Sequence, residues 1–173
     1  MGWNHVLHRV STICVITAIC LAGTATAKTL YVDASVATTG DGSLASPFKT
    51  IGEAISASAA GDEIWIAGGT YDAEPVNMAL KGQQIIRGSY DDAFTTSDPS
   101  RSPTIIDRAN LTSQQQNRTF RCQAVTSFTI ENLVIRNSST GESGNTTNGG
   151  AIYVQNGSSG VIRRVSFSNC TSQ

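Results

Sequence analysis

The most informative hydrophobic pattern in this chain is an alternation that breaks at the same place twice. Phe128 and Ile130 are two residues apart, as on one face of a strand, but the next apolar residue of that face is Leu133. Ile162 is likewise followed by Val165, again a step of three. One extra residue at a fixed place predicts a bend that lets the strands on both sides of it point inward.

These two patterns belong to an internal repeat. Residues 118–139 align without a gap with the first twenty-two of residues 150–172, after a shift of 32. The predicted bends fall at Glu131-Asn132 and Arg163-Arg164, and Asn156-Gly157 fills another corner. Asparagine suits a corner because it tolerates the left-handed backbone conformation. A strand–bend–strand unit that repeats at a fixed period predicts a solenoid.

The coils of a solenoid stack because no single coil can bury its own inner face. Strands of successive coils then run parallel, and Asn137 and Asn169 should lie one above the other with their amides hydrogen-bonded along the axis. Residues 139–148 contain no apolar side chain and are predicted to form a loop between coils. The sequence therefore predicts an all-β fold, a parallel β-helix.

Shorter β-rich runs precede the repeat. They are rich in β-branched and aromatic residues and are bounded by turn-forming residues, as strands usually are. We predict strands in four segments: Thr29–Ala34, Glu63–Tyr71, Gln83–Tyr90 and Pro103–Asp107.

One short helix is predicted between the first two of these runs. Ser46 can cap it, Pro47 suits its first turn, and Gly61 can end it. Its apolar residues follow helical spacing: Phe48, Ile51 and Ile55. We expect this helix to cover both the open apolar end and the unpaired strand edge of the first coil.

The first 27 residues have the pattern of a secretory signal peptide. A basic start is followed by a short, nearly uncharged apolar run and by the small residues Ala25-Thr26-Ala27. Because the run is shorter than the ~20 residues that span a bilayer, we predict cleavage rather than anchoring. The mature chain would start at Lys28 and be secreted or held at the cell surface. It divides into residues 28–117, a cap with the first coils, and residues 118–173, two further coils.

The sequence shows no C-terminal cap after Phe167. Solenoids need a cap at each end, since an end coil has no neighbour to cover it. We therefore expect the last coil to be exposed, to fray, or to pair with another chain through its open strand edge.

The composition removes several classes of function. Both histidines precede Lys28, which excludes histidine bases and histidine metal ligands from the mature chain. That chain has eleven basic and thirteen acidic residues and no basic run longer than Arg163-Arg164, so nothing indicates nucleic acid or an anionic membrane surface. Its two cysteines, Cys122 and Cys170, could pair in an exported protein, but their positions within strands favour free thiols.

A longer motif lies between Tyr31 and Tyr71. A strand and an Asp-containing turn are followed by Gly42-Ser43, by Pro47–Ile51 and a helix, by Gly61-Asp62 and a strand, and by Gly69–Tyr71. This order resembles the N-terminal entry of secreted right-handed parallel β-helix proteins of the pectate-lyase-like class. Residues 85–107 also resemble a linker of its bacterial members. The resemblance implies a right-handed coil and an extracellular location.

The tail carries a second motif. Gly149-Gly150-Ala151-Ile152 is followed by Phe167-Ser168-Asn169-Cys170. These elements resemble the Gly-Gly-Ala-Ile and Phe-x-x-Asn repeats of polymorphic outer membrane proteins, with Cys170 in the place of the final asparagine. The resemblance implies a bacterial surface protein of which this chain is the N-terminal portion.

The resemblance to pectate lyases would imply calcium held by acidic side chains and an arginine that acts as a base. The pairs to test are Asp91-Asp92 and Arg163-Arg164. One adjacent acidic pair is too few ligands for calcium, so a solvated acidic turn is the better interpretation. An arginine at a coil corner is more often solvated than basic, because neighbours would have to lower its high pKa.

A hydrolase of the polygalacturonase type would need two carboxylates across a groove. Four aspartates flank strands, but no spacing selects a pair, and aspartates at strand ends usually form turns: Asp33, Asp62, Asp72 and Asp107. We therefore assign no catalytic, cofactor-binding or metal-binding residue from the sequence. Calcium is the one ion that the resemblance would add.

Two functions are compatible with these observations. The first is non-catalytic: an exported β-helix module that acts as an extracellular structural or recognition domain, adhesin-like and glycan-binding. The lack of an acid–base constellation favours it. The second is the N-terminal part of a carbohydrate-active enzyme, a polysaccharide lyase or glycoside hydrolase, which the fold resemblance alone supports. Either way the predicted partner is an extracellular polysaccharide or a cell-surface molecule, with no nucleic acid and no membrane span after signal cleavage.

Overall fold

The computed structural model describes residues 26–110, 118–140 and 149–172, and in these ranges the chain is nearly all β-structure. It winds into a parallel β-solenoid of about four turns with one short helix, α1, at Ile51–Ala57. The strands in chain order are β1 Thr29–Val32, β2 Glu63–Ala67, β3 Gly69–Tyr71, β4 Met78–Ala79, β5 Ile85–Tyr90, β6 Thr104–Asp107, β7 Phe120–Gln123, β8 Phe128–Arg136, β9 Ser139–Thr140, β10 Ile152–Gln155, β11 Gly160–Ser168 and β12 Thr171–Ser172.

The strands form three main faces of the coil. The first face contains β1, β2, β5 and the first halves of β8 and β11. The second face contains β3, β6 and the second halves of β8 and β11. The third face contains β4, β7 and β10, and β9 pairs with β12 in a further short ladder. Strands β8 and β11 therefore turn a corner and belong to two faces each.

The predicted bend lies at that corner. Strands β8 and β11 pair with a constant offset of 32, from Gly160 opposite Phe128 to Ser168 opposite Arg136. Asn132 and Arg164 are absent from the pairing register, and both have left-handed backbones, with φ of 57° and 50°. The extra residue that breaks the alternation in sequence is thus the residue that turns the chain.

The other predicted corners are also confirmed. Asn156 and Gly157 have φ of 54° and 71°. Asn137 and Asn169 are left-handed too, and the Asn169 side-chain amide donates to Asn137 Oδ1 at 3.2 Å. Stacked corners of the same conformation let the strands between them keep their register.

The inner core is a stack of side chains at matching positions of successive coils. On the first face, Leu30, Ile64, Ile86 and Ile130 are in register and at most 4% exposed. The next member, Ile162, is 42% exposed, and Phe167 on the second face is 47% exposed. The inner side chains of the last described coil are thus more exposed than those of the coils before it, and the expectation that this coil frays or pairs with another chain stays a prediction.

The helix begins and ends at other residues than predicted. Thr50, not Ser46, caps α1, and its side chain forms a capping box with Glu53. Ser58, not Gly61, is the C-cap. Pro47 and Phe48 precede the helix because this segment is extended: the Phe48 N–H donates to Tyr31 O, and its carbonyl accepts from Asp33 N, both at 2.9 Å.

Two elements cover the first coil: helix α1 and segment 42–48. Helix α1 covers the apolar end, as predicted, by burying Ile51, Ala54 and Ile55 in the main core. The free edge of β1 is covered instead by the two arms of a tight turn in segment 42–48, through hydrogen bonds from Tyr31 N to Gly42 O and from Phe48 N to Tyr31 O. Backbone pairing satisfies an edge that a helix could only shield.

The remaining sequence predictions are partly corrected, partly confirmed and partly outside the described residues. The strand predicted at Glu63–Tyr71 is divided into β2 and β3, and the two-residue strand β4 was not predicted. Cys122 and Cys170 are free thiols, as favoured. The signal peptide, up to residue 25, and residues 141–148 of the predicted loop lie outside the described residues. No helix in the described ranges has the length and apolarity needed to cross a membrane.

Candidate recognition surface on the first face

One row of outward-pointing side chains crosses the whole first face. Each of its members follows a residue of the inner stack, so alternation places it outside. The register joins them strand by strand, and we call them the outer row: Tyr31, Trp65, Arg87, Glu131 and Arg163. At about 4.8 Å per strand the row spans roughly 19 Å.

The first part of the outer row is aromatic. The Trp65 ring stacks on Tyr90, with 4.6 Å between centroids and 12° between planes. Tyr31 meets the edges of Trp65 and Phe94, at centroid distances of 5.8 and 5.0 Å. Tyr90 and Phe94 are buried, whereas Tyr31 and Trp65 stay partly exposed. Their rings are therefore fixed on one side and open to solvent on the other.

The second part of the outer row is ionic and is built on Glu131. The Glu131 side chain is 1% exposed, and its carboxylate accepts hydrogen bonds from Nε of Arg87 and Nε of Arg163. Nη2 of Arg164 donates to the same carboxylate at 3.3 Å. Burial by itself would raise the pKa of Glu131, but the arginine hydrogen bonds lower it below its usual value. Glu131 is therefore an anion that fixes three guanidinium groups.

The aromatic and ionic parts are joined by Glu63. Its Oε2 accepts from the Trp65 indole N–H at 2.8 Å and lies 3.7 Å from Nη1 of Arg87. The same Nη1 donates to the Tyr90 hydroxyl at 3.2 Å. Trp65 and Arg87 are thus held by neighbours in two directions each, which fixes the middle of the row.

The side chain of the corner residue Arg164 is held by two neighbouring side chains, Glu131 and Asn132. Nε of Arg164 donates to Asn132 Oδ1 at 2.6 Å, and the Asn132 amide donates to Ser97 Oγ at 2.6 Å. Ser97 in turn donates to the carbonyl of Gly88 at 2.6 Å. The loop after β5 therefore braces the corner of β8 and the arginine stacked on it.

Asp91-Asp92, the acidic pair singled out in the sequence, lies in that same loop. Both carboxylate oxygens of Asp91 accept from Thr95, from its N–H at 2.7 Å and its hydroxyl at 2.6 Å, and the hydroxyl bond lowers the pKa of Asp91. Asp92 lines a shallow depression of about 370 Å³ beside Arg101. Among the described residues, Arg163 and Arg164 form ion pairs with Glu131 and not with Asp91 or Asp92.

The first two strand-end aspartates form turns, as interpreted. Asp33 accepts from Ser35 N at 2.8 Å, two residues further on. Asp62 is buried and accepts from Lys28 N at 3.0 Å and from Ala59 N at 2.7 Å. Both carboxylates are therefore occupied by backbone donors.

Asp107 also forms a turn, because it accepts from Ala109 N at 3.0 Å, and the other contacts of Asp72 and Asp107 join separate segments. Asp72 accepts from the Asn110 amide at 3.2 Å. Asp107 accepts from the Asn137 amide at 2.7 Å and from Arg136 Nε at 2.8 Å, and these donors lower its pKa, the asparagine foremost. In the part of the chain that the structure describes, no three acidic, cysteine or histidine side chains form a group that could hold a metal ion.

The comparisons with known proteins place the chain in a family. Residues 35–173 match the model of DUF1565, whose description is a protein of unknown function. The chain belongs to the DUF1565 family. Its matched region contains the outer row from Trp65 to Arg163. Neither the curated proteins nor the solved structures gave a match to this DUF1565 chain.

Sequence reasoning located Glu131-Asn132 as a corner, and it weighed Arg163-Arg164 as a catalytic base before interpreting the pair as a solvated corner. It did not identify Trp65 or Arg87. A usable signal was present, because Ile64, Ile86, Ile130 and Ile162 are each followed by an outer-row residue. Aligning the chain on these isoleucines places the outer row in line, although the spacing between the early coils is irregular.

Proposed function

We propose that this DUF1565 chain is an exported, non-catalytic β-solenoid module that binds an extracellular polysaccharide on its first face. The outer row carries the proposal, since it presents partly exposed aromatic rings and fixed arginines side by side. Aromatic faces pack on the apolar faces of sugar rings, and charged and polar groups fix orientation in binding sites. A row perpendicular to the strands suits an extended polymer rather than a compact ligand.

Rigidity also supports a binding role. Glu131 and Asn132 are both nearly fully buried, and Trp65 is held by Tyr90 and Glu63. A surface whose side chains are already ordered loses less conformational entropy when a ligand binds.

Binding can be tested by affinity electrophoresis in gels that contain soluble polysaccharides. We expect the chain to be retarded, and Tyr31→Ala to weaken retardation about threefold to tenfold because an exposed ring is lost. Val154→Ala is the matched control, since Val154 is an exposed apolar residue on the third face. Equal effects of both substitutions, or no retardation by any polysaccharide, would contradict the proposal. Runs with calcium and with a chelator test whether calcium takes part.

The enzymatic alternative has its own assay. Incubation with polygalacturonate and calcium, followed at ultraviolet wavelengths, reports unsaturated products of a lyase, and we expect none. Product that Asp91→Ala or Arg163→Ala abolishes would overturn the non-catalytic proposal.

Export is the part of the proposal that rests on the first 27 residues. Expression of the full chain in a bacterial host, with N-terminal sequencing of the exported protein, should give a chain that starts at Lys28. Retention of the apolar segment in the exported protein would contradict cleavage.

A further inference from the structure

We propose that Arg163 and Arg164 form a subsite for an oxyanion, a carboxylate or a sulfate group carried by the polysaccharide on the first face. This inference rests on the proposed function and names the chemistry of the ligand. It is carried by the unused hydrogen-bond donors of the two arginines and by the way Glu131 holds them.

The two guanidinium groups are neighbours. Nε of Arg163 and Nη2 of Arg164 both donate to Oε2 of Glu131, so both groups lie within hydrogen-bond reach of one oxygen atom. Their side chains are nevertheless 55% and 62% exposed. The carboxylate holds them from the protein side and leaves the solvent side open.

Several N–H donors of the two arginines remain for a ligand. A guanidinium has five N–H donors in a planar fork. Arg163 uses only Nε, so its two terminal nitrogens have no acceptor among the described residues, and Arg164 uses Nε and Nη2. The free end of Arg163 matches the two oxygens of a carboxylate or sulfate in bidentate geometry, and Nη1 of Arg164 can add a third bond.

The local charge favours an anion. Arg87, Arg163 and Arg164 face two carboxylates, Glu131 and Glu63, which leaves one positive charge in excess at this end of the row. The excess is local, because the whole chain has a net charge of −1. An anion bound between adjacent arginines would relieve their mutual repulsion.

The position of the subsite indicates a polymer. Arg163 lies three strands from Trp65, roughly 14 Å at about 4.8 Å per strand. A single ligand that uses both the aromatic part and the arginine pair must extend over that distance. The ligand is therefore an extended polysaccharide with charged groups, and the two arginines bind one of those groups.

Three cellulose derivatives with one backbone separate the sources of the oxyanion: carboxymethylcellulose, cellulose sulfate and neutral hydroxyethylcellulose. We expect tighter binding to one or both charged polymers, and Arg163→Ala to weaken that binding about tenfold. Binding to the neutral polymer should change less than about twofold. Arg101→Ala is the control, because it removes the same charge from a more exposed arginine, whose one ion pair among the described residues is with Asp98.

Two further variants separate geometry from charge. Arg163→Lys with Arg164→Lys keeps both charges but removes the planar forks, and should weaken binding to the charged polymers. Glu131→Gln raises the net charge by one yet should also weaken binding, because the arginines lose their anchor. A melting curve of each variant checks that it is folded, and the lysine variant suffices if the glutamine variant is not.

The outcomes are distinct. Equal effects of Arg163→Ala and Arg101→Ala, or full binding by the double lysine variant, would show nonspecific charge attraction and overturn the subsite. Equal affinity for all three polymers would overturn the subsite and leave the proposed function standing. Absence of binding to all three polymers would overturn the subsite, and absence of retardation by every polysaccharide in the gel assay would overturn the proposed function as well.

Discussion

At the residue scale, two carboxylates, buried Glu131 and half-buried Asp107, tie corners of the stack together. Glu131 on β8 is surrounded by three guanidinium groups, and Asp107 at the end of β6 joins Arg136 and Asn137. Each carboxylate links residues that are far apart in sequence but adjacent in the stack. Their pKa values are lowered because the charged form is the one that receives the hydrogen bonds.

Glu131 should therefore make stability depend on pH. A carboxyl whose pKa is lower in the folded state contributes stability that is present above its unfolded pKa, about 4.3, and is lost as pH falls through the folded pKa. We expect Glu131→Gln to lower the unfolding free energy by about 1–3 kcal/mol at pH 7. Urea titrations at several pH values should show this difference shrinking below about pH 4.5. A difference that stays constant in acid would contradict the assignment.

The two thiols should differ in reactivity. Cys122 is fully buried, and burial raises its pKa to about 12, so almost none of it is thiolate at pH 8. Cys170 is partly exposed. We expect iodoacetamide to modify Cys170 and leave Cys122 intact in the native protein, and to modify both in urea. Peptide mass spectrometry reads the two sites separately, and rapid native labelling of Cys122 would contradict its burial.

At the element scale, the helix shows how strand pairing overrides local propensity. Ser46-Pro47 has the composition of a helix start, yet the segment up to Phe48 pairs with β1 in an extended conformation. The helix then starts at the next residue that can cap it, Thr50, with Glu53 three residues on. Hydrogen bonds with β1 therefore decide which of the two possible caps, Ser46 or Thr50, starts the helix.

One threonine substitution and one serine substitution test which residue caps the helix. Thr50→Ala should lower the unfolding free energy by about 1 kcal/mol, since it removes the acceptor for Glu53 N and breaks the capping box. Ser46→Ala should change it by less than about 0.5 kcal/mol, as an exposed surface substitution. Denaturant titrations of both variants check the prediction. The reverse order of effects would restore Ser46 as the cap.

At the scale of the whole molecule, stability is distributed along a stack whose coils have unequal cover. Ile130 lies between Ile86 and Ile162 and is 0% exposed, whereas Ile162 is 42% exposed. Nearest-neighbour burial of this kind is what makes solenoid stability a sum over coils and interfaces. The same side chain should therefore contribute differently in two successive coils.

A pair of identical substitutions measures the difference. Ile130→Ala should lower the unfolding free energy by about 2–5 kcal/mol, because it leaves a cavity in the inner stack. Ile162→Ala should lower it by less than about 1.5 kcal/mol, since much of its surface is already in water. Hydrogen exchange should show residues 160–168 less protected than residues 128–136. Equal losses and equal protection would indicate that another surface covers β11 in solution.

The sequence by itself determined the periodic part of this protein. The step of three from Ile130 to Leu133 and from Ile162 to Val165 predicted the corner and the offset of 32, because alternation and its interruption are properties of the local chain. The parallel all-β coil and the asparagine ladder followed from that offset.

Only the tertiary structure decided what lies side by side on the outside. Trp65, Arg87 and Glu131 come from coils with irregular spacing, so the register that aligns them is set by packing of the inner isoleucines and not by any local motif. The burial of Glu131 and the orientation of Arg163 and Arg164 likewise depend on neighbours at least 32 residues away along the chain. The periodicity depends on residues that are close in sequence, whereas the surface site consists of residues that only the stacking of coils brings together.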